Sequence, residues 1–271
     1  SNTSTLPITG LAQAVDNPKR FIGLHFFSPV ERMALVEIIR GEQTDDQTLA
    51  YALDLVARLG KVPVVVNDAR GFFTSRVFGT YITEGIGMLT EGISPVLIEQ
   101  AGRISGMPMP PLALADEVGL GLMHQVGIQT KADLGDAYQA NEATPVLEEL
   151  VVNRSRIGKA GGSGFYDYHE GGEKNLWLGL TDLFETKETQ PKIEELIQRF
   201  LSTQALESVR CIEQGVMIEA ADIDYAAIMG WGFAPYTGGP LTMIDTIGLP
   251  EFVSRCDQLA LDHGDRFEPP Q

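Results

Sequence analysis

Apolar residues recur along this chain at two spacings, and the switch from one to the other divides it. Val62, Val64, Val65 and Val66 form a β-branched run that predicts a strand over 61–66. The apolar stretch 20–27, closed by Ser28-Pro29, predicts a second strand, and 33–39 a third. Leu49, Leu53, Val56 and Leu59 repeat at helical spacing, so 45–59 reads as a helix stopped by Gly60. A short helix over 7–15 can begin at Pro7, where a missing N–H costs nothing. Short strands and helices in alternation argue for an α/β layer.

After Gly71 the helical period takes over. The segment 72–89 reads as one long helix, followed by shorter ones at 95–104, 112–117, 122–130 and 144–152. A glycine-rich stretch over 156–173 leads into a linker that ends near Gln190, and a second helical block covers 191–263. The two blocks resemble each other. Met88-Leu89-Thr90-Glu91-Gly92 matches Cys211-Ile212-Glu213-Gln214-Gly215 in character. Pro111-Leu112 with Asp116-Glu117-Val118-Gly119-Leu120 matches Pro240-Leu241 with Asp245-Thr246-Ile247-Gly248-Leu249 at the same Pro-to-Asp spacing. Two matches in one order indicate an internal duplication, with Leu112 and Leu241 in equivalent places. The expected organisation is therefore an α/β segment at 1–69, a first helical domain at 70–175 and its duplicate at 190–271.

Charge narrows the partners. Lys and Arg total 20 against 37 Asp and Glu, for a formal net charge of -17. Such a surface repels nucleic acid and anionic membrane. The two cysteines, Cys211 and Cys256, lie in helical patterns and show no CxxC spacing, so neither a disulfide framework nor a metal site is expected. No apolar run approaches the ~20 residues that span a bilayer. With no targeting segment visible either, the expected location is cytoplasmic.

Among the four histidines, His169 and His263 sit in polar, turn-like surroundings and His124 inside a helical pattern. His25 ends an apolar strand at its exit to a loop, the end of α/β strands where ligands bind. Glu37 lies in the apolar run Ala34-Leu35-Val36-Glu37-Ile38-Ile39, where a lone buried carboxylate would be costly. A histidine on the neighbouring strand would satisfy it, fix the imidazole tautomer and leave the other ring nitrogen free to take a proton. The residues alone leave two alternatives open: a packed core histidine at His25, and a Glu37 that points to solvent from an edge strand. The run Gly158-Lys159-Ala160-Gly161-Gly162-Ser163-Gly164 lacks phosphate-loop spacing and reads as a structural turn, and GxGxxG occurs nowhere in the 271 residues.

At Ser1-Asn2-Thr3-Ser4, Gly23-Leu24-His25-Phe26-Phe27-Ser28-Pro29-Val30 and Leu35-Val36-Glu37-Ile38-Ile39 the chain resembles the 3-hydroxyacyl-CoA dehydrogenase family. The likeness is greatest to the dehydrogenase part of the bacterial multifunctional fatty-acid oxidation enzyme. It continues through Gly71-Phe72-Phe73 with Ser75-Arg76, Met107-Pro108-Met109-Pro110-Pro111, Gly164-Phe165-Tyr166 and Gly232-Phe233-Ala234-Pro235. The resemblance implies the last strands of an incomplete Rossmann-type layer followed by two tandem helical dehydrogenase domains. It implies NAD-dependent oxidation of L-3-hydroxyacyl-CoA to 3-ketoacyl-CoA, with His25 as general base and Glu37 as its orienting carboxylate. Ser4 would then touch substrate or nicotinamide, Ser28 the nicotinamide, and Ser75 and Met229 the substrate.

Three of these positions depart from the family's commoner pattern: Ser28 and Ser75 stand where many members have Asn, and Met229 where the multifunctional enzymes have Tyr. A hydroxyl is shorter and offers one donor rather than two. The partners implied are an acyl-CoA substrate and a thiolase subunit in a multienzyme complex, with the helical domains either packing on each other, in place of the dimer that single-block members form, or dimerising. Members begin with a strand–GxGxxG–helix segment that does not precede Ser1, so the chain reads as a carboxyl-terminal part whose isolated activity is low. The rival readings are a non-catalytic helical assembly module, in which His25 and Glu37 are relics, and a short-chain 3-hydroxybutyryl-CoA or sugar-acid dehydrogenase.

Overall fold

The computed structural model describes residues 1–270. The α/β part runs α1 (Ile8–Ala12), β1 (Gly23–Phe26), β2 (Leu35–Arg40), α2 (Asp46–Arg58) and β3 (Val62–Asn67). The helical part follows with α3 (Thr74–Thr90), α4 (Pro95–Ile104), α5 (Pro111–Val118), α6 (Leu120–Leu134) and α7 (Thr144–Glu148). A hairpin of β4 (Tyr166–Tyr168) and β5 (Lys174–Leu176) leads to α8 (Gly179–Leu183), α9 (Ile193–Glu213), α10 (Ala220–Trp231), α11 (Pro240–Ile247) and α12 (Leu249–His263). Packing groups these residues into two compact units, Ser1–Gly79 with Ser202–Gln271, and Thr80–Leu201.

In the first unit the sheet order is β1-β2-β3, with β1 antiparallel to β2 and β2 parallel to β3. A parallel pair needs a crossover, and α2 supplies it. Asp45 caps α2 by accepting from the amide of Thr48 at 2.8 Å. The helix then packs Ala52 and Val56 against Val36 and Ile38 of β2. Because side chains alternate along a strand, Leu35, Glu37 and Ile39 point to the opposite face, and the first five residues of β2 are all buried. A strand covered on both sides reads as a near-continuous apolar run, which is why 33–39 was so legible. Ser1 lies along β1 in parallel, donating to Ile22 O at 2.9 Å and accepting from Leu24 N at 2.8 Å. The strand expected over 20–27 is shorter than its apolar run, because Pro18–Arg20 closes a 3₁₀ turn first.

The second unit is helical, with Tyr81 and Phe200 packed edge to face at 5.0 Å. Its largest polar feature is Arg199, fully buried, which donates to Glu84 at 2.7 Å and bidentately to Glu91 at 2.7 and 2.6 Å. The segment expected as a linker carries β5 and α8 instead. Asp116 organises this region by accepting from the amides of Phe165 (2.8 Å) and Tyr166 (2.9 Å) and the Tyr168 hydroxyl (3.0 Å). Gly164 permits that approach, since a Cβ there would lie 1.9 Å from Asp116 Oδ1.

The repeated motifs adopt repeated geometry. Helices α5 and α11 are both eight residues long and open on proline, and α6 and α12 are both fifteen. Between each pair stands a glycine with positive φ, Gly119 at 98° and Gly248 at 92°. The amide of Leu112 donates to Glu99 at 2.8 Å, and that of Leu241 to Asp224 at 2.7 Å. The ends of α3 and α9 match as well: Ile93 N bonds Met88 O and Gly92 N bonds Leu89 O, as Val216 N bonds Cys211 O and Gly215 N bonds Ile212 O. The pattern is a Schellman closure in both helices.

Candidate active site

His25 and Glu37 are directly paired residues across the antiparallel β1–β2 ladder. That pairing brings His25 Nδ1 to 3.0 Å from Glu37 Oε2. Both side chains are buried, Glu37 completely. The alternative of an edge strand facing solvent is excluded, because β2 is the central strand and its Glu37 face is covered.

What covers it is the start of α3. Glu37 Oε1 accepts the amides of Phe73 (2.9 Å) and Thr74 (3.1 Å), and Oε2 accepts the Thr74 hydroxyl at 2.7 Å. A helix amino terminus has amides with no intrahelical acceptor and a positive dipole end, so a carboxylate from a neighbouring strand suits it. Each contact delivers a donor to the carboxylate. By the same inventory His25 Nδ1 carries the proton it shares with Glu37, leaving Nε2 as an acceptor. The imidazole is braced by Phe27, with ring centroids 4.5 Å apart, and by Phe72 at 6.1 Å.

His25 lines an open cleft of about 540 Å³ together with Asn2, Thr3, Ser4, Leu6 and Phe26. Ser4 and His25 therefore line the same cleft. Its segment is held by Asp68, whose carboxylate receives the amides of Ile8 (2.9 Å) and Thr9 (2.6 Å) at the start of α1. Ser28 is exposed two residues beyond the end of β1, and Ser75 is half-buried in the first turn of α3, next to Thr74. Met229 is 38% exposed on α10. Its neighbour Gly230 lies against this region: a Cβ there would meet Leu35 at 3.0 Å, Thr74 at 3.7 Å and Phe27 at 3.9 Å. His124 and His263 are half-buried on α6 and α12, and His169 is exposed in the β4–β5 turn. Among the described residues no cluster of His, Cys, Asp and Glu could hold a metal, and no helix is long and apolar enough to cross a membrane.

Sequence reasoning missed Thr74. Its hydroxyl meets a carboxylate 37 residues earlier, and a threonine opening a helix looks like an ordinary cap. Asp68 was missed for a similar reason, since the helix it caps lies 60 residues before it.

Residues 1–69 match the family model for the 3-hydroxyacyl-CoA dehydrogenase NAD binding domain, and residues 71–168 that for the C-terminal domain of the same enzymes. The chain belongs to the 3-hydroxyacyl-CoA dehydrogenase family. It is similar to the fatty acid oxidation complex subunit alpha of Shewanella oneidensis, 35% identical over 278 residues that cover 100% of this chain and 38% of that protein. It is similar also to the subunit of that name in Vibrio cholerae, at 34% over 270 residues that cover 99% of this chain and 38% of that protein. The chain thus spans well under half the length of these curated relatives. Among solved structures, the (S)-3-hydroxybutyryl-CoA dehydrogenase of Ralstonia eutropha is 38% identical with a TM-score of 0.57, covering 63% of this chain and 60% of that one. The 3-hydroxybutyryl-CoA dehydrogenase of Escherichia coli K12 shares the fold across 100% of this chain and 73% of its own, at a TM-score of 0.79 and 24% identity.

Proposed function

We propose that this chain is the dehydrogenase part of a β-oxidation enzyme, oxidising an L-3-hydroxyacyl-CoA to the 3-ketoacyl-CoA with NAD as cofactor. The observation that carries the reading is the buried His25–Glu37 pair at 3.0 Å on the wall of an open cleft. A cleft of this size suits a small-molecule ligand, and its lining combines the polar Asn2, Thr3 and Ser4 with the apolar Leu6 and Leu11. Bound there, NAD supplies the hydride acceptor for the substrate's C3. Ser4 and Ser28 are the residues that would hold its nicotinamide end.

The chain's own work is proton transfer. His25 Nε2 takes the C3 hydroxyl proton, and Glu37 stabilises the imidazolium that results while its ties to α3 keep the ring in place. Ser4, Ser75 and Met229 are the proposed substrate contacts, with the shorter hydroxyls at 28 and 75 altering how the thioester and nicotinamide are seated. In the same reading 1–69 is the carboxyl-terminal part of the NAD domain, 70–175 the first helical domain and 190–271 its duplicate. A cytoplasmic complex with a thiolase subunit belongs to the proposal on the strength of the bacterial complex subunits named above.

The test is NADH formation from L-3-hydroxybutyryl-CoA by the protein carrying a GxGxxG segment ahead of Ser1. Turnover that needs both the CoA ester and NAD is expected. A folded protein that binds the acyl-CoA but never reduces NAD would instead support a non-catalytic helical module.

A further inference from the structure

We propose that Thr74 is a positioning residue that sets how strongly Glu37 holds the His25 proton, an inference that rests on His25 being the base. Thr74 is buried at 1% exposure and grips both carboxylate oxygens at once, its amide on Oε1 at 3.1 Å and its hydroxyl on Oε2 at 2.7 Å. Two grips from one residue fix the plane of the carboxylate. The second falls on the oxygen that also receives His25 Nδ1. Two donors on one oxygen share its charge, so the hydroxyl draws density away from the histidine. The result is a base held firmly in direction but less tightly in proton affinity, which suits a group that must release its proton each cycle.

Ionisable groups on the surrounding elements are engaged elsewhere. Arg76 on α3 is paired with Glu207, and Asp224 on α10 receives the amides of Leu241 and Thr242. Cys211 on α9 is a neutral thiol, its pKa pushed up to about 12 by burial.

The test is the titration of His25 by NMR of ¹³C-histidine-labelled protein without substrate or cofactor, assigned by loss of its signal in His25→Gln. In Thr74→Val the midpoint should rise by about 0.5–1 pH unit, roughly 3- to 10-fold in proton affinity. Thr74→Ser, which keeps the hydroxyl, should titrate with the wild type. Where turnover is measurable, the acidic limb of its pH profile should move the same way. An unmoved midpoint in Thr74→Val, or in Thr74→Ala should the Val variant not fold, overturns the proposal. Because the titration needs no turnover, it stands apart from the activity test: a shifted midpoint in Thr74→Val, together with no NAD reduction by the protein that carries the GxGxxG segment, would sink the dehydrogenase reading while the hydroxyl's hold on the Glu37–His25 pair stayed in place.

Discussion

Glu37 stands opposite His25 in the β1–β2 register, and the oxygen it does not turn toward the imidazole receives the amides that open α3. One carboxylate thus orients a ring and anchors a helix, and the two roles respond differently to substitution. In Glu37→Gln the amide oxygen is claimed by the α3 donors, so its NH₂ group turns to His25 and forces the proton onto Nε2. Loss of activity on the order of 10²–10⁴-fold is expected with the fold retained. In Glu37→Leu four donors, the amides of Phe73 and Thr74, the Thr74 hydroxyl and His25 Nδ1, lose their acceptor at about 1–3 kcal/mol each, so urea denaturation should show severe destabilisation.

Arg199 and Glu84 test the helical core. Both are buried, and Arg199→Ala leaves the Glu84 carboxylate without that cation, which should cost about 3–5 kcal/mol. The residues 123 positions earlier and later, Arg76 and Glu207, form the matching pair. That pair is partly exposed, so Arg76→Ala should cost less in the same measurement.

Glu99 and Asp116 make stability fall with rising pH. Burial is the main cause in both, pushing each carboxyl above its ordinary value, against the hydrogen bonds that oppose it. A carboxyl whose pKa is raised by folding stabilises the native state below its unfolded pKa and loses that contribution as pH climbs through the folded one. Glu99→Gln should therefore be less destabilising, relative to wild type, at pH ~7 than at pH ~4. Equal costs at the two pH values would remove Glu99 from the linkage.

Cys211 and Cys256 should be inert in the native protein. Burial raises their thiols to about 12 and about 11, and the thiolate is the reactive form. A thiol reagent near neutral pH should label neither until denaturant is added.

Gly119 joins α5 to α6 as Gly248 joins α11 to α12, each with a positive φ between an eight-residue and a fifteen-residue helix. A methyl group at either meets nothing closer than 3.9 Å, so the cost of Gly→Ala is backbone strain alone, about 1–2 kcal/mol. The two substitutions should give similar drops in thermal midpoint, and very unequal ones would separate the copies.

Much of this was legible because hydrophobic period and burial agree. The helix over 45–59 and the strand over 61–66 lie within a residue or so of α2 and β3. The apolar flanks of Glu37 announced a buried partner, and antiparallel pairing delivered it. The β4–β5 hairpin was not legible, since its strands are three residues each and partly polar, and Asp116 holds it from some 50 residues away. Nor was the burial of Arg199, whose partners lie 115 and 108 residues earlier. Contacts of that range leave no trace in local spacing.

The most direct test of His25 as the proton acceptor is His25→Gln, compared with wild type at matched thermal stability. With the GxGxxG segment ahead of Ser1 in both proteins, single-turnover reduction of NAD by L-3-hydroxybutyryl-CoA should fall on the order of 10²–10⁴-fold while acyl-CoA binding is kept. A rate within a few-fold of wild type, with the same pH profile, would mean that another group takes the alcohol proton.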